Sequence, residues 1–461
     1  MSVLRHHTPF LGCCLLAITP ALHAAQDDAA FGDFEFDDSA FDDSSLFEDR
    51  SASSSPFSFR LSQQLAGHIN RHGGRSGSDG QQRQVEINRM ALDIQYQNAF
   101  GDGWLLQGSA YGRLHFEGDY RHRVKGSLHE ETRLKELFLQ RSGQQHSFSL
   151  GRQTIVWGET LANSVLDVIN HTEYRDLTII DLEDARRNQW LLNWDWFTDA
   201  GRFSSFVNLY PEFNKRPVAG SPLRVELPFD LPDHSRERNL FEVGTRWSRS
   251  FSGSDVALMA AWLQENDLHY LAPTDASNTA RAISNEYMLA GLSANRAIGS
   301  LLLTLDLAFS GGLRAMALTP GEPAPDQRLV RRHQLGSSVG MEYAISNTEQ
   351  FSLSVAAQGF LDRNEGLQAG ERLLRDDING NILMRYSNSL RNEDLLLSVT
   401  AQHSLDDEAG LLSLDADYRI NDEWALMGQL ILTRASPDAV LAHLHQDVRL
   451  GLTLRYSFLG R

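Results

Sequence analysis

The sequence predicts an all-β fold, a transmembrane antiparallel up-and-down β-barrel of about 18 strands in a bacterial outer membrane. Three observations predict it. Segments of alternating apolar and polar residues recur from residue 57 to the end of the chain. The connectors between these segments alternate between tight turns and longer loops. No run of about 18 apolar residues follows the first 25 residues, so we do not expect a membrane-spanning helix.

Residues 1–24 have the pattern of a secretory signal peptide. Arg5 provides a positively charged start, an apolar stretch runs from Pro9 to Leu22, and Ala24 and Ala25 suit cleavage. Both cysteines of the chain lie inside this segment. We therefore expect the mature protein to have neither a disulfide nor a thiolate site.

Residues 25–56 form an acidic, phenylalanine-rich leader. Residues 26–50 contain ten carboxylates and one arginine, which is half of the chain's net charge of −18. Such a self-repelling segment is expected to be disordered in the periplasm. Two alternatives stay open, a docking segment for a basic periplasmic protein partner and a strand that enters the barrel lumen. The negative net charge argues against nucleic-acid binding.

Residues 57–461 are predicted to form the barrel. In the segment 300–310, five large apolar residues share one face of a strand, and Thr304, Asp306 and Ser310 share the other. A polar, often charged face on one strand after another suits a water-filled lumen and does not suit the interior of a β-sandwich. The predicted lumen-wall residues are Arg113, Asp306, Asp415, Asp417, Arg419, Arg449 and Arg455.

The predicted strands number eighteen, with sixteen as the alternative because the first strand and the loop at 406–408 have the weakest patterns. They are 57–66, 84–98, 104–117, 133–141, 145–152, 188–197, 202–210, 239–251, 254–266, 284–297, 300–311, 333–345, 350–361, 379–389, 394–405, 409–420, 423–434 and 446–458.

Aromatic residues flank the tight turns, where a barrel wall meets the periplasmic side of the lipid. They are Trp104, Trp196, Phe203, Phe251, Phe351, Trp424 and Phe458. We therefore expect the wall to contact outer-membrane lipid after insertion by the barrel-assembly machinery.

The third long connector, 153–187, has about a dozen large apolar residues, too many for a loop in water. We expect it to fold into the barrel and narrow the channel, with opposed acidic and basic groups that filter solutes by charge. The alternatives are a lid over the outer mouth and an adhesive surface loop. The predicted pore-lining or constriction residues are Arg152, Trp157, Glu159, Asp167, Asn170, Arg175, Asp176, Asp181, Glu183, Asp184, Arg186 and Arg187.

The motifs Gly151-Arg152-Gln153, Trp157-Gly158-Glu159 and Asp167-Val168-Ile169-Asn170 resemble a proteobacterial outer-membrane barrel family of unknown function. The Gly-Arg-Gln motif is also similar to that of alginate-export-type barrels. The resemblance covers about twenty residues directly and implies a barrel, without implying a substrate. Two departures are His171, where the family commonly has proline, and a C-terminus that does not end on an aromatic residue.

The sequence favours a porin-like channel for small solutes or an exported polymer. The alternative is a structural or docking barrel whose acidic leader recruits a periplasmic partner. We expect no enzymatic activity, because no Gly-x-Ser-x-Gly motif is present and the histidines are scattered. The histidine spacing does not predict a metal site, and no cofactor is expected.

Overall fold

The computed structural model describes sixteen parts of the chain. They are residues 55–70, 85–123, 129–161, 163–173, 175, 186–218, 220–224, 229–232, 240–273, 279–319, 328–362, 364–373, 378–406, 408–437, 439 and 442–459. The predicted signal peptide and almost all of the acidic leader lie outside the described residues.

Eighteen antiparallel strands close into one barrel, which confirms the predicted fold and strand number. The wall strands are β1 Phe57–Asn70, β2 Val85–Phe100, β3 Trp104–His115, β4 Glu130–Ser142, β5 His146–Gln153, β6 Gln189–Thr198, β7 Gly201–Asn208, β8 Glu242–Phe251, β9 Ser254–Gln264, β10 Glu286–Ile298, β11 Leu301–Leu318, β12 Arg328–Ala344, β13 Glu349–Phe360, β14 Ile378–Leu390, β15 Leu395–Ser404, β16 Ala409–Arg419, β17 Trp424–Ala435 and β18 Val448–Leu459.

Short elements lie in the connectors. Two small hairpins pair His171–Thr172 with Arg186–Arg187, and His269–Leu271 with Arg281–Ile283. A further short strand, Arg372–Leu373, pairs with the end of β11, and short 3₁₀ helices span Arg121–Arg123 and Ala442–Leu444. Among the described residues, no helix is both long and apolar enough to cross a membrane.

The wall closes where β1 pairs with β18. The register places Phe59 opposite Phe458 and Gln64 opposite Thr453, in the antiparallel sense used all around the sheet. A closed antiparallel sheet leaves no unpaired strand edge, so the backbone N–H and C=O groups of the wall satisfy each other.

The two faces of the wall differ as the alternation predicts. On β11, Leu303, Leu305 and Leu307 point outward and are 38, 36 and 40% exposed, whereas Asp306 points inward and is 0% exposed. The connectors alternate too. Those at one end of the barrel have two to four residues, and those at the other end reach 35 residues.

Aromatic rings surround the short-turn end. The rings of Trp196 and Phe203 stack at 5.6 Å, and those of Trp424 and Tyr456 lie 4.7 Å apart. Most of the predicted interface aromatics therefore lie on the outer surface beside the short turns.

The predicted strand ends are within a few residues of the observed ends, except around the connector after β11. The predicted strand ends at Gly311. Instead the register shifts between Gly311 and Leu313, and pairing with β12 continues to Ala317 opposite Arg328. Gly312 adopts φ 97°, a backbone conformation that glycine tolerates, so the pair forms a bulge within a longer strand. The predicted loop 312–332 was therefore too long.

Cysteines introduced at Gln64 and Thr453 should form a disulfide, because residues directly opposite each other in antiparallel strands have Cβ atoms about 4.5–5.5 Å apart. The test is non-reducing electrophoresis of the refolded chain with Cys13→Ser and Cys14→Ser. The matched control pairs Gln64→Cys with Gln429→Cys, two strands and about 10 Å away. A cross-link that forms equally well in the control, or not at all across β1 and β18, would contradict the closed sheet.

Candidate functional site

Residues 154–170, which follow β5, turn into the barrel and pack on the inner face of its wall. We call them the inward segment. Trp157, Leu166 and Ile169 are 2, 0 and 0% exposed. They share one apolar cluster with wall residues of β6, β7, β9, β10 and β11, namely Leu191, Phe206, Ala257, Met259, Leu263, Tyr287, Leu289 and Ala308. Each fully buried side chain of this size stabilises the docked position by about 1.5–3 kcal/mol. The prediction that the third long connector, 153–187, folds inward is confirmed for the inward segment, whereas residues 176–185 lie outside the described residues.

Trp157 is the largest side chain that the inward segment places against the wall. Its ring lies 5.6 Å from the ring of Phe206, at an edge-on angle of 68°. Gly244 of β8 makes room for both rings. A Cβ atom there would be 2.7 Å from Trp157 Cη2 and 2.6 Å from Phe206 Cε1, closer than non-bonded carbons approach.

Other wall glycines accommodate the rest of the segment. A Cβ atom on Gly291 would be 2.5 Å from Leu166 Cδ2, and one on Gly336 would be 3.3 Å from Val165. We call the set the glycine seat. It consists of Gly244, Gly291, Gly336 and Gly340. The seat is a shallow depression in the inner wall whose shape matches the apolar side of the inward segment.

Asp306 holds the backbone of the inward segment against the wall. Its carboxylate accepts N–H bonds from Glu159 at 3.0 Å and from Thr160 at 2.9 Å. The hydroxyl of Ser338 also donates to it, at 3.4 Å, and Asp306 itself is 0% exposed. Hydrogen bonds to a charged group contribute about 1.5–3 kcal/mol each, so this carboxylate is a principal polar anchor of the segment.

The carboxylate of Glu159 also points to the wall. It accepts hydrogen bonds from Arg246 at 3.1 Å and from Asn295 at 3.0 Å, so it joins the segment to β8 and β10.

The ends of the inward segment are tied together. The Asn170 side chain accepts the Ile155 N–H at 3.4 Å and donates to the Ile155 carbonyl at 2.7 Å. Gln189 donates to the Ile169 carbonyl at 2.6 Å, and Asn266 donates to the Asn170 carbonyl at 3.1 Å. These side chains close the segment into a compact lobe.

Charged residues that flank the segment pair with one another. Arg186 and Asp167 are 3.1 Å apart. Arg152 donates two hydrogen bonds to Glu212, at 3.0 and 2.7 Å, in the bidentate geometry that guanidinium favours.

A denser ion-pair network lies where the chain leaves the lobe. Glu173 is 2.5 Å from both Arg175 and Arg187, and 3.9 Å from Arg133 on β4. Arg175 also reaches Glu131 of β4 at 3.0 Å. The network joins the connector to β4, the wall strand next to β5, at the long-connector end of the barrel.

The predicted constriction residues therefore fall into three groups. Trp157 and Asn170 are buried within the lobe or its seat. The charged residues Arg152, Glu159, Asp167, Arg175, Arg186 and Arg187 all engage charged partners. Asp176, Asp181, Glu183 and Asp184 lie outside the described residues.

The predicted lumen-wall residues lie on the inner face of the barrel. Asp415 accepts a hydrogen bond from Gln429 at 2.7 Å, and Arg449 pairs with Glu86 and with Asp447. The predicted set is Arg113, Asp306, Asp415, Asp417, Arg419, Arg449 and Arg455, and among the described contacts Asp306 is the member that bonds to the inward segment.

Sequence reasoning missed the glycine seat and the partners Arg246, Asn295 and Glu212. The seat could have been found from the sequence, because its four glycines all occupy lumen-facing positions in the alternating pattern of β8, β10 and β12. Within the part of the chain that the structure describes, no group of three or more possible metal ligands occurs.

No family model matches the chain, and no curated protein matches it. Among solved structures, OccAB4 of Acinetobacter baumannii is 9% identical, with 87% of this chain and 97% of that chain covered and a TM-score of 0.49. OccK1 of Pseudomonas aeruginosa is 8% identical, with 87 and 98% covered and a TM-score of 0.49. OmpF of Salmonella typhi, solved in complex with daunomycin, is 11% identical, with 87 and 97% covered and a TM-score of 0.41.

The substitution Gly291→Val should push the inward segment off its seat, because the new Cβ atom overlaps Leu166 in a region where the wall backbone is fixed by two neighbouring strands. Hydrogen exchange read by mass spectrometry should show faster exchange across 155–170. The control is Gly451→Val on the inner face of β18, where the nearest atoms to a Cβ atom are 3.6 Å away. Equal exchange in both variants would contradict the role of the seat.

The substitution Asp306→Asn should weaken the segment's backbone anchor by about 1–3 kcal/mol, because the amide offers one acceptor oxygen where the carboxylate offers two. We expect the amides of Glu159 and Thr160 to exchange faster while the wall amides keep their protection. Asp415→Asn, also on the inner face, serves as the control. Unchanged exchange at Glu159 and Thr160 in Asp306→Asn would show that the carboxylate is not an anchor.

Proposed function

We propose that this protein forms a channel in the bacterial outer membrane through which small solutes pass, and that the inward segment narrows that channel. The observation that carries the proposal is the position of the segment, which covers the inner wall from β6 to β13 by way of the glycine seat and Asp306. A loop folded inside a large barrel reduces the free cross-section without blocking the opposite wall.

Three features support a location in the outer membrane: the closed wall, the outward apolar rows and the aromatic rings at the short-turn end. In lipid, every backbone polar group needs an internal partner, which a closed barrel supplies. The short turns would face the periplasm and the long connectors the outside. We also propose that residues 1–24 are a signal peptide and that the barrel-assembly machinery inserts the protein.

The inward segment favours the passage of small solutes over the export of a polymer. The segment is held by buried apolar contacts, by Asp306 and by the Glu159 ion pair, so the geometry favours a permanently narrowed passage. The similarity of Gly151-Arg152-Gln153 to alginate-export-type barrels is the argument for a polymer. The alternative function, a docking barrel that transports nothing, is tested by the conductance experiment below.

Purified full-length protein should form discrete channels in planar lipid bilayers. Deletion of residues 156–169, replaced by a short Gly-Ser linker, should raise the single-channel conductance several-fold, because the lobe leaves the lumen while the strand pairs of the wall remain. Heat-modifiable migration on electrophoresis checks that the variant barrel is folded.

The matched control shortens the connector after β13 by removing residues 364–371, which lie outside the wall strands. Its conductance should equal that of the parent protein. Folded protein that never conducts would reject the channel and favour the docking barrel. Equal conductance with and without residues 156–169 would place the segment outside the conducting path.

A further inference from the structure

The long-connector end of the barrel contains a second concentration of charge, beyond the inward segment. It is formed by the ends of β4 and β5, the hairpin at 171–172 and 186–187, and the connectors after β3 and β7. We call it the vestibule cluster. Its described members are Arg121, Glu131, Arg133, Arg152, His171, Glu173, Arg175, Arg187, Glu212 and Lys215.

Cations outnumber carboxylates among these described members, six to three, with His171 in addition. The carboxylates are shared between cations. Glu173 lies 2.5 Å from Arg175 and from Arg187, and Glu131 accepts from Arg175 at 3.0 Å and from Arg121. Each of these two glutamates therefore compensates part of the charge of more than one guanidinium group.

The burial of this charge differs between its members. The side chains of Arg187, Arg175 and Arg152 are only 4, 8 and 9% exposed, so the surrounding medium screens them weakly. Lys215 lies exposed beside them on the connector after β7. Asn214, the residue before it, accepts the Thr172 N–H at 2.9 Å, so Lys215 follows directly on a contact with the hairpin that carries Arg187.

Two titratable groups of the connectors respond to this charge. Burial lowers the pKa of His171 well below its usual range, and Arg187, Arg133 and Arg152 lower it further. Partial loss of water around the Lys215 side chain, although its surface reaches solvent, lowers its pKa; Arg187 and Arg175 lower it further, and Glu131 and Glu212 oppose the shift. Desolvation is the larger cause in both cases, and the arginines act in the same direction because a positive neighbour disfavours the charged form of a base.

We propose that the vestibule cluster is a binding site for small solutes that carry a compact oxyanion group, a carboxylate or a phosphate. Lys215, the exposed cation of the cluster, makes the direct contact, and the buried guanidinium groups of Arg152, Arg175 and Arg187 add to the attracting potential. Guanidinium and ammonium groups in weakly screened surroundings recognise such oxyanions. The inference that such solutes are preferred substrates rests on the proposed channel function. Their binding to the vestibule cluster does not require conduction.

Two probes, citrate and inorganic phosphate, distinguish the two sources of the oxyanion. Added on the long-connector side of single channels in potassium chloride, at least one of them should block the current in a concentration-dependent way. Lys215→Gln should raise the half-blocking concentration about five-fold, the effect expected of one partly screened charge. Lys215→Arg should restore it. The probe that blocks at the lower concentration identifies the class of solute.

The matched control is Arg372→Gln, which removes an exposed cation from a different long connector and should leave the block unchanged. Calorimetric titration of citrate and phosphate into the folded barrel in detergent compares the parent protein with Lys215→Gln and Arg372→Gln by binding alone, without conduction. Binding that depends on Lys215 in a protein that forms no channels would reject the proposed function and keep the site. Conducting channels that neither probe blocks, or that are blocked equally in Lys215→Gln, would overturn the site.

Discussion

The closure of the sheet between β1 and β18 is the constraint on which the other features depend. The pairing of Phe59 with Phe458 sets the stagger with which the sheet closes. Together with the registers of the other strand pairs, it fixes the height at which each inner side chain lies and the direction in which it points. The interior then has a set width and set positions for its polar groups. Residues from strands far apart in the chain, such as Arg246 and Asp306, come to face the same segment only because the wall between them is complete.

Within that wall, the position of the inward segment follows from the solvation of its apolar residues. Its apolar residues cannot remain in water without a cost, and the polar inner face of a barrel offers few apolar surfaces. The β6–β11 wall departs locally from that polarity, with Leu191, Phe206 and Met259 facing inward and glycines between them. Polar anchors at Asp306 and Glu159 then satisfy the groups that the docked segment buries, which a purely apolar contact would leave without partners.

Most of the wall could be predicted from sequence, because a period of two is visible in any strand with one lipid-like face, as Leu301 to Phe309 illustrates. The predicted end of β11 at Gly311 was wrong, because the chain forms a bulge at Gly311-Gly312 and the strand continues to Leu318. The inward position of Trp157 was predicted from the apolar composition of its connector. Its seat on Gly244 and the pairing of Glu159 with Arg246 were not predictable, because the inner register that brings them together depends on seven wall strands between β5 and β13.

The attachment of the inward segment also bears on the order in which the barrel can mature. The segment leaves the chain after β5, yet Asp306 belongs to β11 and Ser338 to β12. A sheet that holds β5 to β8 but lacks β11 can offer Trp157 its contacts with Phe206 and Gly244 but cannot offer the backbone of Glu159 the carboxylate of Asp306. The segment can therefore reach its final attachment only after strands from both halves of the wall have joined, whichever half is added first.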